Sequence, residues 1–273
     1  MAIIITETTC DLDYREIQTY KNTEMIPLTV NFGEKHYKDQ IDLSKAEFYE
    51  KLEKAKEIPT TSLLNPSDFL EVFEKYPNED LIVITISHKL SGTYQSACIA
   101  KEMCERENIH IIDSGTATIG QGILVKVAVA MNEKNMDTLE MVNRLLELKE
   151  KIRLVAVIDT LKYLVKGGRL SGVQGAVGTV LRVKPIIRVT DGEIISLAKA
   201  RGSKSAFKEL ASIIEADGEV DDKLPILFAH TNSKEMLEEF KQNIPYLGEE
   251  AMVGSVVGTH AGPGAVAMAY FVR

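Results

Sequence analysis

Short apolar runs alternate along this chain with longer amphipathic segments. Residues 3–5 and 81–86 are dominated by isoleucine, leucine and valine, a composition typical of strands buried on both faces of a sheet. Residues 66–76 carry apolar side chains at helical spacing and predict a helix with one buried face. The first half of the chain predicts strands over 3–5, 25–32, 81–86 and 109–112, a loop over 59–62, and helices over 66–76, 119–131 and 137–151, with another starting at Asp42-Leu43-Ser44. This alternation predicts an α/β fold with a mostly parallel sheet and helices on both faces.

The second half of the chain predicts a second α/β domain with a mixed sheet. Asp191-Gly192 is a hairpin signal between two short apolar runs, so at least one pair of strands is antiparallel. Strands are predicted over 154–158, 186–189, 194–197, 226–229 and 251–257, and helices over 203–215 and 233–243. The charged helix that ends near residue 151 marks a domain boundary, which gives domains 1–152 and 153–273.

Hydroxyl residues follow the predicted strand 81–86 at the point where a helix begins. Ser91, Gly92 and Thr93 occupy this junction. The first N–H groups of a helix have no intrahelical partner and its dipole is positive there, so such a junction can bind an anion. The same side chains are also ordinary helix caps, and one junction does not decide between the two interpretations.

Composition and charge exclude several classes of protein. The 273 residues, 45% of them hydrophobic, are enough for a sizeable core. A net charge of −8 argues against a nucleic-acid partner. The three cysteines Cys10, Cys98 and Cys104 lack C-x-x-C spacing and indicate reduced thiols rather than a metal site. No apolar run approaches the roughly 18 residues that span a bilayer, and no basic leader is visible, so we expect a cytoplasmic protein.

Six motifs together resemble the DegV family. They are Thr8-Thr9-Cys10-Asp11-Leu12, Pro59-Thr60-Thr61-Ser62, Ser91-Gly92-Thr93-Tyr94-Gln95-Ser96-Ala97, Lys166-Gly167-Gly168-Arg169, Lys184-Pro185-Ile186 and Thr259-His260-Ala261-Gly262-Pro263-Gly264. Each motif alone is weak, but the six occur in the family's order over nearly the whole chain. The resemblance implies a two-domain protein that buries one long-chain fatty acid, of the palmitate, stearate or oleate class, between its domains. In the better understood members it implies a carrier that presents the carboxylate to a separate ATP-dependent fatty-acid kinase subunit, without catalytic machinery, metal or cofactor of its own.

The resemblance also assigns roles to particular residues. Those expected around the carboxylate are Thr61, Ser62, Ser91, Gly92 and His260. Arg169 and Arg201 are expected to help dock the kinase subunit, because a guanidinium group can donate two parallel hydrogen bonds to one carboxylate or phosphate. The tail requires an apolar channel, since each buried methylene contributes about 0.8 kcal/mol. Two positions depart from the family pattern: Glu7, where aspartate is usual, and Arg182, where we expect a smaller polar residue.

Two other functions compete with lipid binding. Ser91, Asp113 and His260 stand in the chain order of the α/β-hydrolase triad, which makes a serine esterase the alternative. Lys89 occupies the first glycine position of the G-x-S-x-G elbow, however, so an exposed nucleophile is not specified. A dinucleotide site at residues 262–267 needs a further strand and an acidic residue about 20 positions on, for which the chain leaves no room.

Overall fold

The computed structural model describes residues 1–170 and 183–273, so Arg182 and most of the apolar segment 173–183 lie outside the described residues. The strands in chain order are β1 (Ile3–Glu7), β2 (Thr23–Ile26), β3 (Thr29–Phe32), β4 (Lys35–Lys38), β5 (Thr60–Ser62), β6 (Leu81–Thr85), β7 (Ile109–Asp113), β8 (Ile152–Val157), β9 (Val183–Thr190), β10 (Glu193–Arg201), β11 (Leu227–His230), β12 (Glu249–Met252) and β13 (Val266–Phe271). The helices are α1 (Tyr14–Ile17), α2 (Lys45–Lys54), α3 (Pro66–Lys75), α4 (Thr93–Cys104), α5 (Thr118–Glu133), α6 (Thr138–Lys149), α7 (Lys162–Lys166), α8 (Ser203–Ala216), α9 (Lys234–Lys241) and α10 (Ser255–Ala261).

The first sheet is parallel and has the strand order β2-β1-β6-β7. Because side chains alternate across a strand, each strand supplies both faces of this sheet. Ile4 and Ile82 pack with α5 and α6 on one face, whereas Ile5 and Val83 pack with α2, α3 and α4 on the other. The predicted parallel sheet with helices on both faces is confirmed. A small antiparallel sheet, β4-β3-β5, lies beside it.

The second sheet is mixed and has the strand order β10-β9-β8-β13-β11-β12. Only β11 and β12 pair in parallel; the other neighbours are antiparallel. Asp191 and Gly192 form the turn between β9 and β10 with positive φ angles of 50° and 79°, which confirms the predicted hairpin. The helices α8 and α9 cover one face through Phe207 and Phe240. The sheet begins at Ile152, next to the predicted boundary between domains 1–152 and 153–273, which itself stays a prediction.

Helix α5 lies between the two large sheets. Its Ile123 and Leu124 share one buried cluster with Ile4 of the first sheet and Ala229 of the second. This helix is apolar on nearly all sides, which is the composition of a helix surrounded by protein. A side chain at Gly122 would place its Cβ 2.7 Å from the Cys10 carbonyl oxygen, so glycine permits this close packing.

Three local predictions were wrong. Residues 25–32 form two strands in different sheets, because Pro27 cannot donate to a ladder and separates β2 from β3. Residues 60–62 form the edge strand β5 rather than a loop. The predicted final strand 251–257 is instead the end of β12 followed by α10, and the true final strand, β13, was missed.

Two general features complete the fold. No helix within residues 1–170 and 183–273 is both long and apolar enough to cross a bilayer. All three cysteines are free thiols; Cys10 is buried, and Cys98 and Cys104 are half-buried.

Candidate functional site

A cavity of about 180 Å³ lies at the carboxyl edge of the parallel sheet, against the inner face of the six-stranded sheet. A single water needs about 10–15 Å³ by a comparable measure, so this space holds a much larger molecule. The wall is mainly aliphatic and includes Leu28, Ile86, Leu154, Ile158, Ile187 and Val266. Helix α10 contributes Val256, Val257 and His260, which share one face of the helix. The cavity therefore suits an elongated apolar ligand.

Polar groups from both halves of the chain meet in the wall of this cavity. Thr61 Oγ1 lies 3.0 Å from His260 Nε2. The alternation along β5 explains this pairing: Thr61 points toward α10, whereas the Thr60 and Ser62 hydroxyls accept hydrogen bonds from Asn31 on the other face. Ser62 still lines the cavity, but its hydroxyl is already paired.

Ser91 lines the same cavity and lies just before the start of helix α4. Its Oγ lies 3.0 Å from Thr93 Oγ1 and accepts a hydrogen bond from the Thr93 N–H at 3.3 Å. Gly92 is the N-cap of α4 and is not part of the cavity wall; a Cβ there would lie 3.0 Å from a methyl carbon of Leu63. The Ser91 hydroxyl therefore bonds to the first residue of α4 and also lines the cavity, and anion binding at this junction stays a prediction.

His260 is held neutral by its surroundings. Burial, together with the nearby Arg169 guanidinium, lowers its pKa to about 4. Its Nε2 faces Thr61, and its buried Nδ1 has no hydrogen-bond partner among the described residues. A Cβ on Gly167 would lie 2.2 Å from Nδ1. The glycine of the Lys166-Gly167-Gly168-Arg169 motif thus leaves room for the imidazole.

The two predicted docking arginines lie in different surroundings. Arg169 lines the cavity, donates from Nε to the Leu90 carbonyl at 3.2 Å, and donates from Nη1 to the Gly167 carbonyl. No acidic side chain in the described ranges pairs with it. Arg201 ends β10, is exposed, and does not line the cavity. Only Arg169 is therefore placed to meet a ligand directly.

Two carboxyl groups from the N-terminal half contact the start of α10. Asp11 Oδ1 accepts from the Gly254 N–H at 2.7 Å, and Asp39 Oδ1 accepts from the Ser255 N–H at 3.0 Å. Burial raises the pKa of Asp11 to about 7 and also raises that of Asp39. Acceptors at a helix start pair the free N–H groups. These contacts fix α10, and with it His260, although nothing in the local sequence marks them.

The three residues of the proposed hydrolase triad do not assemble. The Asp113 carboxylate pairs with the ring Nδ1 of His88 and accepts a hydrogen bond from the His88 backbone N–H. His260 pairs with Thr61, and the Ser91 hydroxyl with Thr93. The nucleophile, base and orienting acid of a serine hydrolase must form one hydrogen-bonded chain, and these residues do not.

Comparison with known proteins identifies the family. The family model described as an uncharacterised protein of the DegV family matches residues 1–273. The chain belongs to the DegV family. A DegV domain-containing protein of Caldanaerobacter subterraneus subsp. tengcongensis is 37% identical over 269 residues, which cover 96% of this chain and 95% of the relative.

Solved DegV-type structures share the whole fold. A DegV family protein from Thermus thermophilus, described for its fatty-acid binding, is 26% identical with a TM-score of 0.89, and the match covers 99% of each chain. A stearic-acid-binding protein from Eubacterium ventriosum is 25% identical with a TM-score of 0.87, and the match covers 100% of this chain and 98% of the other. Fatty acids are thus ligands of proteins with this fold, and the expected α/β architecture is confirmed.

Glu7, the departure from the DegV motif, is fully buried behind the cavity. It accepts a hydrogen bond from the Ile86 N–H at 2.7 Å, another from the Gln121 amide at 2.9 Å, and a third from the Thr9 hydroxyl. Burial raises the pKa of Glu7. Thr9 in turn lines the cavity. The longer side chain is therefore accommodated in a hydrogen-bonded network, to which Gln121 contributes without any signal in the sequence.

Proposed function

We propose that this DegV-family chain binds one long-chain fatty acid in the cavity between its sheets. The observation that supports this most directly is a mainly aliphatic cavity whose wall includes Thr61, Ser91, His260 and Arg169, with Thr61 and His260 in contact. The tail would lie along α10 and the inner face of the six-stranded sheet. Burial of each methylene of the tail contributes about 0.8 kcal/mol, so a long tail provides a large driving force for binding. The ligand's lost translational, rotational and conformational freedom opposes part of this free energy.

The polar end has the groups that a carboxylate needs. An ionised carboxyl buried without partners is strongly unfavourable. Arg169 supplies a positive charge, and the Thr61 and Ser91 hydroxyls supply donors. If His260 donates from Nε2 to Thr61 Oγ1, the Thr61 hydroxyl proton is free to point at the ligand. A neutral imidazole thus orients the donor without adding charge.

Affinity measurements with a matched pair of ligands test this proposal. Methyl palmitate has the tail of palmitate but no charge, so wild-type protein should bind it much more weakly. Thr61→Ala and Ser91→Ala should each weaken palmitate binding by about 1.5–3 kcal/mol, the value of a hydrogen bond to a charged group. Ser67→Ala, on the exposed first turn of α3, is the matched control. Equal affinity for the acid and its ester would contradict the proposed head-group site.

We further propose that the bound carboxylate is phosphorylated by a separate kinase subunit, as the family resemblance implies. A carboxylate oxygen attacks the γ-phosphorus of ATP, the bond from that phosphorus to the β–γ bridging oxygen breaks, and ADP leaves. Gly167-Gly168 lacks P-loop spacing, so the kinase subunit would supply the nucleotide. We also propose that Arg169 and Arg201 help dock that subunit.

The docking role of Arg201 can be separated from lipid binding because its side chain is exposed and outside the cavity wall. Arg201→Ala should leave palmitate affinity unchanged and lower the rate of acyl-phosphate formation with a fatty-acid kinase subunit. Lys199→Ala is the control, since Lys199 is exposed on the same strand. Equal rates for Arg201→Ala and wild type at subsaturating carrier would place the docking face elsewhere.

A further inference from the structure

The wall of the fatty-acid cavity also carries two threonines that the proposed head-group site does not use. Thr118 is the first residue of α5, Thr231 directly follows β11, and both line the cavity. Only 8% of Thr118 and 1% of Thr231 is exposed. The wall is otherwise mainly aliphatic. A tail made of methylenes alone would form no hydrogen bond with either hydroxyl.

The Thr118 hydroxyl already donates its proton within the protein. Its Oγ1 donates to Asp11 Oδ2 at 2.6 Å, and Asp11 Oδ1 accepts from the Gly254 N–H, directly before α10. A hydroxyl oxygen can also accept hydrogen bonds, and no donor in the described ranges binds that of Thr118. Thr118 is therefore left as an acceptor.

The Thr231 hydroxyl is in the opposite state. Its Oγ1 accepts from the Ala265 N–H at 2.6 Å, whereas its proton has no acceptor among the residues that the structure describes. The carbonyl of His230, one residue earlier, accepts from the Val253 N–H at 2.9 Å, so Thr231 also lies next to the segment that leads into α10. A buried donor without an acceptor is costly. Thr231 is therefore left as a donor.

Helix α10 separates these two hydroxyls from the head-group site. His260 lies in its last turn, whereas Thr118 and Thr231 are linked to residues 253–254, before its first turn. The helix has seven residues and is therefore about 10 Å long. A tail that runs along α10 from His260 would bring an interior methylene, rather than the carboxylate, beside the two hydroxyls.

We propose that the cavity takes fatty acids that carry a hydroxyl group on the tail, an inference that rests on the proposed function. An alcohol is both a donor and an acceptor, so its oxygen can accept from Thr231 while its proton goes to the Thr118 oxygen. A methylene leaves both protein groups unpaired. An alcohol elsewhere in an apolar channel is itself unpaired, which is unfavourable. The two threonines therefore select for a hydroxyl at one interior position of the tail.

Titrations of the wild type with stearate and a series of monohydroxystearates test this selection. The hydroxystearates differ only in the position of the hydroxyl along the tail. One interior isomer should bind at least as tightly as stearate, because its hydroxyl meets both threonines. The other interior isomers should bind about fivefold or more weakly than stearate, because their hydroxyl is buried without a partner.

Two variants of Thr231 assign the selection to its hydroxyl. Thr231→Val removes the donor at nearly constant size, and Thr231→Ser retains it. Thr231→Val should lower the affinity for the preferred isomer about five- to tenfold relative to stearate on the same variant, consistent with loss of one hydrogen bond. Thr231→Ser should keep the wild-type ratio. Because each ratio is taken within one protein, it is insensitive to the loss of the acceptor for the Ala265 N–H.

Each other outcome contradicts the inference. Affinities that do not depend on the position of the hydroxyl in the wild type, or an unchanged ratio in Thr231→Val, would overturn it. If Thr231→Val does not fold, the positional series on the wild type and on Thr231→Ser decides alone. A wild type that binds neither stearate nor any hydroxystearate would contradict the proposed function as well, whereas stearate binding without a preferred isomer would contradict only this inference.

Discussion

Replacing Gly167 by alanine should disrupt the head-group site while leaving the fold intact. Gly167 follows α7 with φ −75° and ψ −11°, which is helical backbone that alanine adopts readily. The new Cβ would lie 2.2 Å from His260 Nδ1 and 3.0 Å from its Cε1. Real Cβ atoms do not approach this closely, so the imidazole must move away from its present position.

The size of the effect follows from the contact that the movement breaks. His260 Nε2 lies 3.0 Å from Thr61 Oγ1, and this contact orients the hydroxyl that we propose donates to the carboxylate. A hydrogen bond to a charged group contributes about 1.5–3 kcal/mol. Its loss corresponds to palmitate binding that is weaker by roughly 10- to 150-fold.

Palmitate titrations of four proteins isolate this steric effect: wild type, Gly167→Ala, His260→Ala and the double variant. Without the imidazole the nearest remaining neighbour of the Cβ is the Tyr163 carbonyl oxygen at 3.1 Å, which lies outside the cavity wall, so the double variant should bind like His260→Ala to within about twofold. Double-mutant cycles measure such coupling directly. Melting temperatures should show that Gly167→Ala remains folded. Undiminished binding by Gly167→Ala, or a full additional loss in the double variant, would refute the reasoning.

Three further predictions address the stability, the cavity and the chemistry of the protein. The pKa of Asp11 in the folded protein, about 7, lies above its ordinary value of 3.8. The contribution of Asp11 to the free energy of unfolding is therefore full below about pH 4 and is lost as the pH rises through 7. Asp11→Asn should flatten this part of the pH–stability curve measured by chemical denaturation, and an unchanged curve would contradict the raised pKa of Asp11. Val257→Phe narrows the cavity beside α10 and should weaken stearate binding more than laurate binding in the same titration; equal losses would place the tail elsewhere. Ester hydrolysis of p-nitrophenyl acetate should stay at background, and a nitrophenol burst that disappears in Ser91→Ala would restore the hydrolase alternative.

The sequence predicted those parts of the fold in which local pattern and tertiary environment agree. The run 81–86 became a buried strand because branched apolar side chains fit a sheet covered on both faces. The apolar segment 119–131 forms a buried helix because it lies between the two large sheets and is apolar on nearly all sides. Prediction failed at 251–257, where valines favour a strand. Asp11 and Asp39, more than 200 residues away in the chain, bind the first N–H groups of α10 and favour a helix instead.

The candidate site could be predicted as a set of motifs but not as a geometry. Thr61, Ser91 and His260 were expected together and line one cavity. That Ser62 faces Asn31 follows from strand alternation in β5, which could not be inferred while residues 59–62 were interpreted as a loop. The role of Gly167 beside His260 depends on a contact across 93 positions of the chain, and no local pattern encodes such a contact.

Native mass spectrometry of the protein purified from a bacterial host tests the central claim most directly. We predict one non-covalent adduct per chain with the mass of a long-chain fatty acid, which disappears under denaturing conditions. The adduct should be reduced when Thr61 and Ser91 are both replaced by alanine. Protein that carries no such adduct, and that takes up no palmitate when it is offered, would contradict the assignment of the cavity to a fatty acid.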